Sequence, residues 1–422
     1  MSERDTVERA VADAHRREWA FVLAATARVA RDLDLAEECV QEAYLAALDA
    51  WARDGVPTKP GAWLTATAKR KALDVLRRQQ VLRAKMPLLV EPEEVVTDSP
   101  DPDAVPDDRL RLVFTCCHPA LAPEARVALT LRLVCGVATP DIARAFLVTE
   151  PTMAARVTRA KKKIAAARIP YRVPEASELP ERLDAVLTVV HLLFTTGHTA
   201  PSGAGLVRVD LVERALHLAR VLHGLMPDEP EVRGLLALLL LTDARRATRV
   251  DADGRLVLLE HQDRSAWDQA AIGEGARLAV EAFRTGRVGR YALQAAIAAL
   301  HATAGSYAAT DWPQIVRLYD QLLAAWPSPV VALNRAIAVS MADGPEAGLA
   351  ALDALADDGR LAGYHYLPAT RADLLRRLGR REEAAREYRA ALVLVDNDTE
   401  REFLEGRLGE VVDSGAGRSS YG

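Results

Sequence analysis

This chain of 422 residues has few aromatics, at 5%, and only four cysteines and five methionines. It has no lysine beyond Lys163. The longest apolar run, Leu235 to Leu241, is far short of the ~20 residues that span a bilayer, which argues against a membrane helix. The opening residues are charged and polar, so no secretory signal is expected, and with few cysteines the chain suits a reducing cytoplasm. Cys116, Cys117 and His118 are adjacent and cannot easily converge with Cys135 on one tetrahedral metal. Together with Cys39 they read as structural thiols, because zinc sites favour spaced cysteine pairs.

Half the residues are hydrophobic, and alanine, leucine and arginine are plentiful. That mix favours helices packed through small and aliphatic side chains, and the length suits two to four domains. Net charge is −5, so the whole protein does not advertise nucleic-acid binding. Its distribution does: the lysines lie between Lys59 and Lys163, in two clusters around Lys69 and Lys161, while arginine serves the rest. Two basic patches in an acidic protein are a footprint of local phosphate contact, with a solvated helix face as the alternative.

Residues 1–80 are expected to be helical. Val7, Val11, Ala14, Trp19, Val22 and Leu23 recur at helical spacing, as do Leu35, Cys39, Val40, Ala43, Tyr44 and Leu48. A Gly/Pro loop over Asp54 to Gly61 precedes a helix over Ala62 to Gln80. That helix turns Trp63, Leu64, Ala68, Ala72, Val75 and Leu76 inward and Lys69, Arg70, Lys71, Arg77 and Arg78 outward. Residues 81–106, with five prolines and six carboxylates, predict an acidic extended tether. In residues 107–172, Thr139-Pro-Asp opens a short helix, Phe146 to Thr149 forms a turn, and Glu150-Pro-Thr-Met opens a second helix with a basic face. This is a helix-turn-helix pattern.

Residues 180–415 read as helical, with weak repetition. Val331 to Gly344 can be laid on Leu367 to Gly379, and the Leu211 to Leu241 segment echoes Val316 to Val339. The period is near that of tetratricopeptide repeats, with generic helical packing as the competing view. A short hairpin is expected around Asp253-Gly254, where Asp251 and Asp253 miss the calcium-loop spacing. His191, His198, His301 and His365 are scattered without paired carboxylates or a nucleophile motif, and Gly197 to Gly205 lacks a phosphate-loop pattern. Neither an enzyme, a cofactor nor a resident metal is expected.

The Leu35-Ala-Glu-Glu-Cys-Val-Gln-Glu-Ala-Tyr-Leu-Ala-Ala-Leu48 and Pro60 to Arg78 segments resemble the second conserved region of extracytoplasmic-function sigma factors. Leu129 to Phe146 and Thr152 to Lys161 resemble the fourth region, and the C-terminal part resembles the repeat-bearing extension of one subgroup. The resemblance implies an all-α protein: two small helical sigma domains joined by a linker, then a tetratricopeptide-like helical domain. It implies that Asp34, Glu37, Glu38, Gln41 and Glu42 dock on the clamp helices of the largest subunit of core RNA polymerase, with the fourth region at the flap.

By the same resemblance, Lys69, Arg70, Lys71, Arg77 and Arg78 hold phosphates at a −10 element beside a pocket for a flipped base, while Trp63 is expected in the core. Thr152, Met153 and Arg156 are placed for base edges of a −35 element, and Arg159, Lys161, Lys162 and Lys163 for its backbone. A regulatory protein or ligand is expected on the C-terminal domain, and no membrane. A DNA-binding regulator that does not replace a sigma factor is the alternative; it needs the helix-turn-helix but has no use for the Asp34 to Arg78 block.

Overall fold

A computed structural model describes residues 3–85, 108–146, 148–200, 205–284, 286, 288–355 and 358–416. Among them the structure is helical, without strands, and divides into two compact units between Val190 and His191.

The first unit begins with three long helices, α1 (Glu3–Ala30), α2 (Leu33–Asp54) and α3 (Pro60–Lys85), each packed on the other two. Arg31 takes a left-handed φ of 52°, which reverses the chain within two residues. Asp32 then caps α2, its carboxylate accepting from the N–H groups of Asp34 at 2.7 Å and Leu35 at 2.9 Å. Gly55, at φ 81°, ends that helix. The shared core holds Trp19, Val22, Leu23, Val40, Ala43, Leu64 and Ala68 from the helical stripes read in the sequence, together with Trp51.

α3 begins at Pro60, two residues before the expected start, because proline suits the first helical position. It also runs to Lys85 rather than Gln80, since Val81 to Lys85 contains no helix breaker and the next proline is Pro87. The rest of the expected linker, residues 86–106, lies outside the described residues, as does residue 107.

The same unit continues with α4 (Asp108–Cys116), α5 (Pro123–Leu129), α6 (Thr139–Ala145) and α7 (Glu150–Ala166). α5 passes directly into a π-turn over Thr130–Val134, which Gly136 terminates at φ 66°. α6 and α7 form the helix-turn-helix. Thr149 caps α7, its hydroxyl accepting from Thr152 N–H. The division between units falls within α8 (Leu179–His198), whose Arg182 donates to the Phe114 carbonyl at 2.7 Å.

The second unit continues through α9 (Val209–Leu225), α10 (Pro230–Asp243), α11 (Gln269–Arg284), α12 (Arg290–Thr303), α13 (Trp312–Ala325), α14 (Pro329–Ala342), α15 (Pro345–Asp353), α16 (Tyr366–Arg377), α17 (Arg381–Leu394) and α18 (Asp398–Ala416). From α9 onward each helix packs on the next. Its apolar clusters advance with the chain: one around Trp267 and Ile272, one around Ile315 and Leu322, one around Leu352 and Tyr388. Sequence-local cores of this kind mark a stacked helical array. α10 also lies close on α12, where a Cβ on Gly234 would sit 2.6 Å from the Ala292 nitrogen. The Glu231 carboxylate caps α12, accepting from Tyr291 N–H at 2.9 Å and Ala292 N–H at 3.1 Å.

The expected hairpin reduces to one antiparallel bridge between Val250 and Leu256. Asp251 spends its carboxylate on the N–H groups of Asp253 and Arg255, closing a turn. Among the described residues no group of histidine, cysteine and carboxylate side chains could hold a metal, and no helix is long and apolar enough to cross a membrane.

Candidate nucleic-acid and polymerase interface

Three helices of the first unit carry the expected site residues. On α2, Glu38, Gln41 and Glu42 are exposed one turn apart, and Leu45, 64% exposed, continues the same stripe. The sequence reading missed Leu45; its position seven residues after Glu38 was the available signal. Asp34 is also exposed, whereas Glu37 is buried.

On α3, Arg70, Arg77 and Arg78 are exposed, while Lys69 and Lys71 are half-buried. Lys71 Nζ reaches back to Glu42 Oε2 at 2.7 Å, so α3's basic face borders α2's acidic one. Trp63 is half-buried and meets Trp51 edge-on at 5.8 Å between ring centres, a packing contact as expected. Leu73 and Val56 are exposed beside the basic residues of α3 and in the loop before it.

On α7, Thr152, Arg159, Lys162 and Lys163 are exposed and Arg156 is half-buried. Met153 is fully buried with Val157, Ala160 and Ile164, and so faces the domain core instead of a base edge. The 3.6-residue period explains this: these four positions form one stripe, which Thr152 leaves by about 100°.

Lys161 also departs from the expected arrangement. Its side chain is 9% exposed and donates to Asp34 Oδ1 at 2.7 Å and to Glu37 Oε2 at 2.6 Å. Burial acts to lower its pKa, but the charge of Glu37 and the hydrogen bonds to both carboxylates overcome it and leave the ammonium raised. Arg132, from the π-turn and unforeseen in the sequence, pairs with the other oxygen of Glu37. The carboxylates assigned to polymerase and a lysine assigned to phosphate thus meet each other.

The same seam holds further contacts. Trp19 Nε1–H donates to the Leu133 carbonyl at 3.0 Å, Tyr171 O–H donates to the Ala24 carbonyl at 2.9 Å, and Arg28 lies 3.6 Å from Asp108. A Cβ on Gly136 would touch the Trp19 ring at 3.0 Å, so glycine there serves both its left-handed φ and the close approach.

None of the four cysteines forms a disulfide. Burial raises Cys116 far above the usual thiol range and pushes Cys117 up to about 11, which keeps both protonated and unreactive.

Comparison with known proteins matches three stretches of the chain to families. Residues 8–81 match sigma-70 region 2, residues 111–164 match sigma-70 region 4, and residues 182–283 match a family of unknown function, DUF6596. Over 396 residues, 92% of each chain, the protein is 44% identical to an uncharacterised protein, R00370, of Rhizobium meliloti (strain 1021). No solved structure matches it.

Proposed function

This chain belongs to the extracytoplasmic-function sigma factors that carry a C-terminal extension, and we propose how its faces divide the work of initiation. Sigma-70 regions 2 and 4 make it a subunit for core RNA polymerase and promoter DNA. The α2 stripe of Glu38, Gln41, Glu42 and Leu45 docks on the clamp helices of the largest subunit: the carboxylates pair with arginines there and Leu45 supplies the desolvated anchor. Region 4 sits at the flap.

Arg70, Arg77 and Arg78 on α3 grip phosphates of a −10 element, and the segment from Gly55 to Lys59 borders the pocket for an extruded base. On α7, Thr152 and Arg156 address base edges of a −35 element, and Arg159, Lys162 and Lys163 the backbone. The supporting observation is the segregation of exposed charge: acid on α2, base on α3 and α7, within one unit. Run-off transcription with purified core polymerase on a promoter library tests this. Transcripts from a shared two-block motif are expected; their absence would leave the helix-turn-helix as an ordinary operator-binding module.

The C-terminal helical array, a tetratricopeptide-like scaffold in this reading, regulates in cis by binding a partner or small molecule. A cavity of about 560 Å³ among α14, α16, α17 and α18 supports this, lined by Met341, Tyr366, Tyr388, Phe403 and Arg407. A truncation that tests it must keep α8, because Arg182 serves the first unit. Promoter-specific transcription that changes on removing the residues after His198 supports regulation; unchanged transcription leaves a passive stabiliser.

A further inference from the structure

The second unit holds a further cavity, of about 370 Å³, among α10, α12, α13 and α14. It shares only Leu259 with the cavity lined by Tyr388 and Phe403. Leu238, Leu241, Trp267, Ile297, Leu322 and Val331 give it an apolar wall. Gln294, Tyr319 and Asn334 add uncharged hydrogen-bonding groups. His301 joins them as a neutral ring, because burial, with Arg245 and Arg264 nearby, holds it down to about 4. The one charged side chain on the lining is Arg245, and no carboxylate lies on it.

Arg245 follows closely on the end of α10, and the arginines around it show what it lacks. Arg246 pairs with Asp243 at 2.7 Å. Arg249 donates to the Thr199 hydroxyl at 3.0 Å and to the His198 carbonyl. Arg264 donates to the carbonyls of His301 and Ala304, each at 2.8 Å. The Arg245 guanidinium has no ion pair and no hydrogen bond among the described residues. Burial lowers its pKa below the usual guanidinium value, and no neighbouring carboxylate raises it again. Besides burial, its charge helps to depress the pKa of both Arg249 and His301. A half-buried charge without a counter-charge destabilises a fold, a cost that sites built for ligands commonly carry.

We infer that this cavity is a binding site for a small organic acid, a monocarboxylate on an apolar body. Arg245 holds the carboxylate through its planar fork, which matches two carboxylate oxygens at once. The apolar wall takes the body, and the volume falls within the roughly 300–1,000 Å³ of small-molecule sites. One cation among neutral groups balances one negative charge. A phosphate group brings more than one and would leave the excess uncompensated. The site lies in the second unit and does not depend on the roles proposed for the faces of the first.

Calorimetric titration of the full chain with benzoate, hexanoate, benzamide and inorganic phosphate tests this. Benzoate or hexanoate should bind one per chain, at least about tenfold tighter than phosphate and than benzamide, which keeps the ring without the charge. Arg245→Met keeps an apolar stem and removes the charge, and should weaken carboxylate binding at least about tenfold. No binding of either carboxylate, equal affinity for benzamide, tighter binding of phosphate, or undiminished carboxylate affinity in the variant overturns the site.

Urea denaturation of the same variant adds a readout that needs no ligand. Arg245→Met replaces an uncompensated charge by an apolar group, so its midpoint should equal or exceed that of the unaltered chain. A lower midpoint would show that the guanidinium is satisfied within the fold, and overturns the site.

Discussion

The indole N–H of Trp19 donates to the main-chain carbonyl of Leu133 at 3.0 Å, both groups buried, although 114 positions separate them in the chain. Trp19 belongs to the first helix of region 2 and Leu133 to the π-turn ahead of the helix-turn-helix. Trp19→Phe keeps the ring's packing and removes the donor, leaving a buried carbonyl unpaired at a cost of about 1–3 kcal/mol. A lower urea midpoint for the first unit should follow; an unchanged midpoint would mean that water reaches the carbonyl.

Leu45 should behave as an interface anchor. Leu45→Asp removes the apolar centre of the α2 stripe without touching the core and should weaken core binding by tenfold or more, consistent with a hot spot worth at least about 2 kcal/mol. Glu38→Lys should act mainly on the association rate and its salt dependence. Competition binding to core polymerase at two ionic strengths separates the two effects.

Arg159, Lys162 and Lys163 are exposed on α7 and proposed to touch only phosphate. Replacing each by alanine should reduce the slope of log affinity against log salt by about one and weaken all sequences alike. Thr152→Ala should instead change the preferred −35 sequence. Binding titrations over a salt series with two promoter variants check both.

His191 and His301 give the second unit a pH dependence. Burial and the nearby Arg290 hold His191 down to about 4, and burial with Arg245 and Arg264 holds His301 down to about 4, against an ordinary value of 6.5. Both stay neutral in the folded protein while the unfolded chain takes up protons below about 6.5, so stability is full above that pH and falls as pH drops toward 4. At pH 5 the loss should reach about 2 kcal/mol per histidine. Chemical denaturation at pH 7.5 and pH 5 tests this, and His191→Gln should flatten the dependence.

The helices were largely legible because proline and glycine punctuate them. Pro140, Pro151 and Gly136 fall where α6 and α7 begin and the π-turn ends. Met153 shows a signal that was present and underused: its spacing from Val157, Ala160 and Ile164 is that of a buried stripe, whereas its neighbour Thr152 is exposed. Lys161 shows what sequence withholds. Its place beside Ala160 permits exposure or burial, and the choice is made by Asp34 and Glu37, more than a hundred residues away, whose approach no local pattern encodes. The turn at Asp251 was legible for the opposite reason, since every partner lies within four residues.

Holoenzyme assembly bears most directly on the whole account. The purified full-length protein, mixed with core RNA polymerase and a library of promoter fragments, should co-elute with core and start transcripts at defined positions downstream of a two-block motif. Failure to co-elute with core, whatever the affinity for DNA alone, would contradict it.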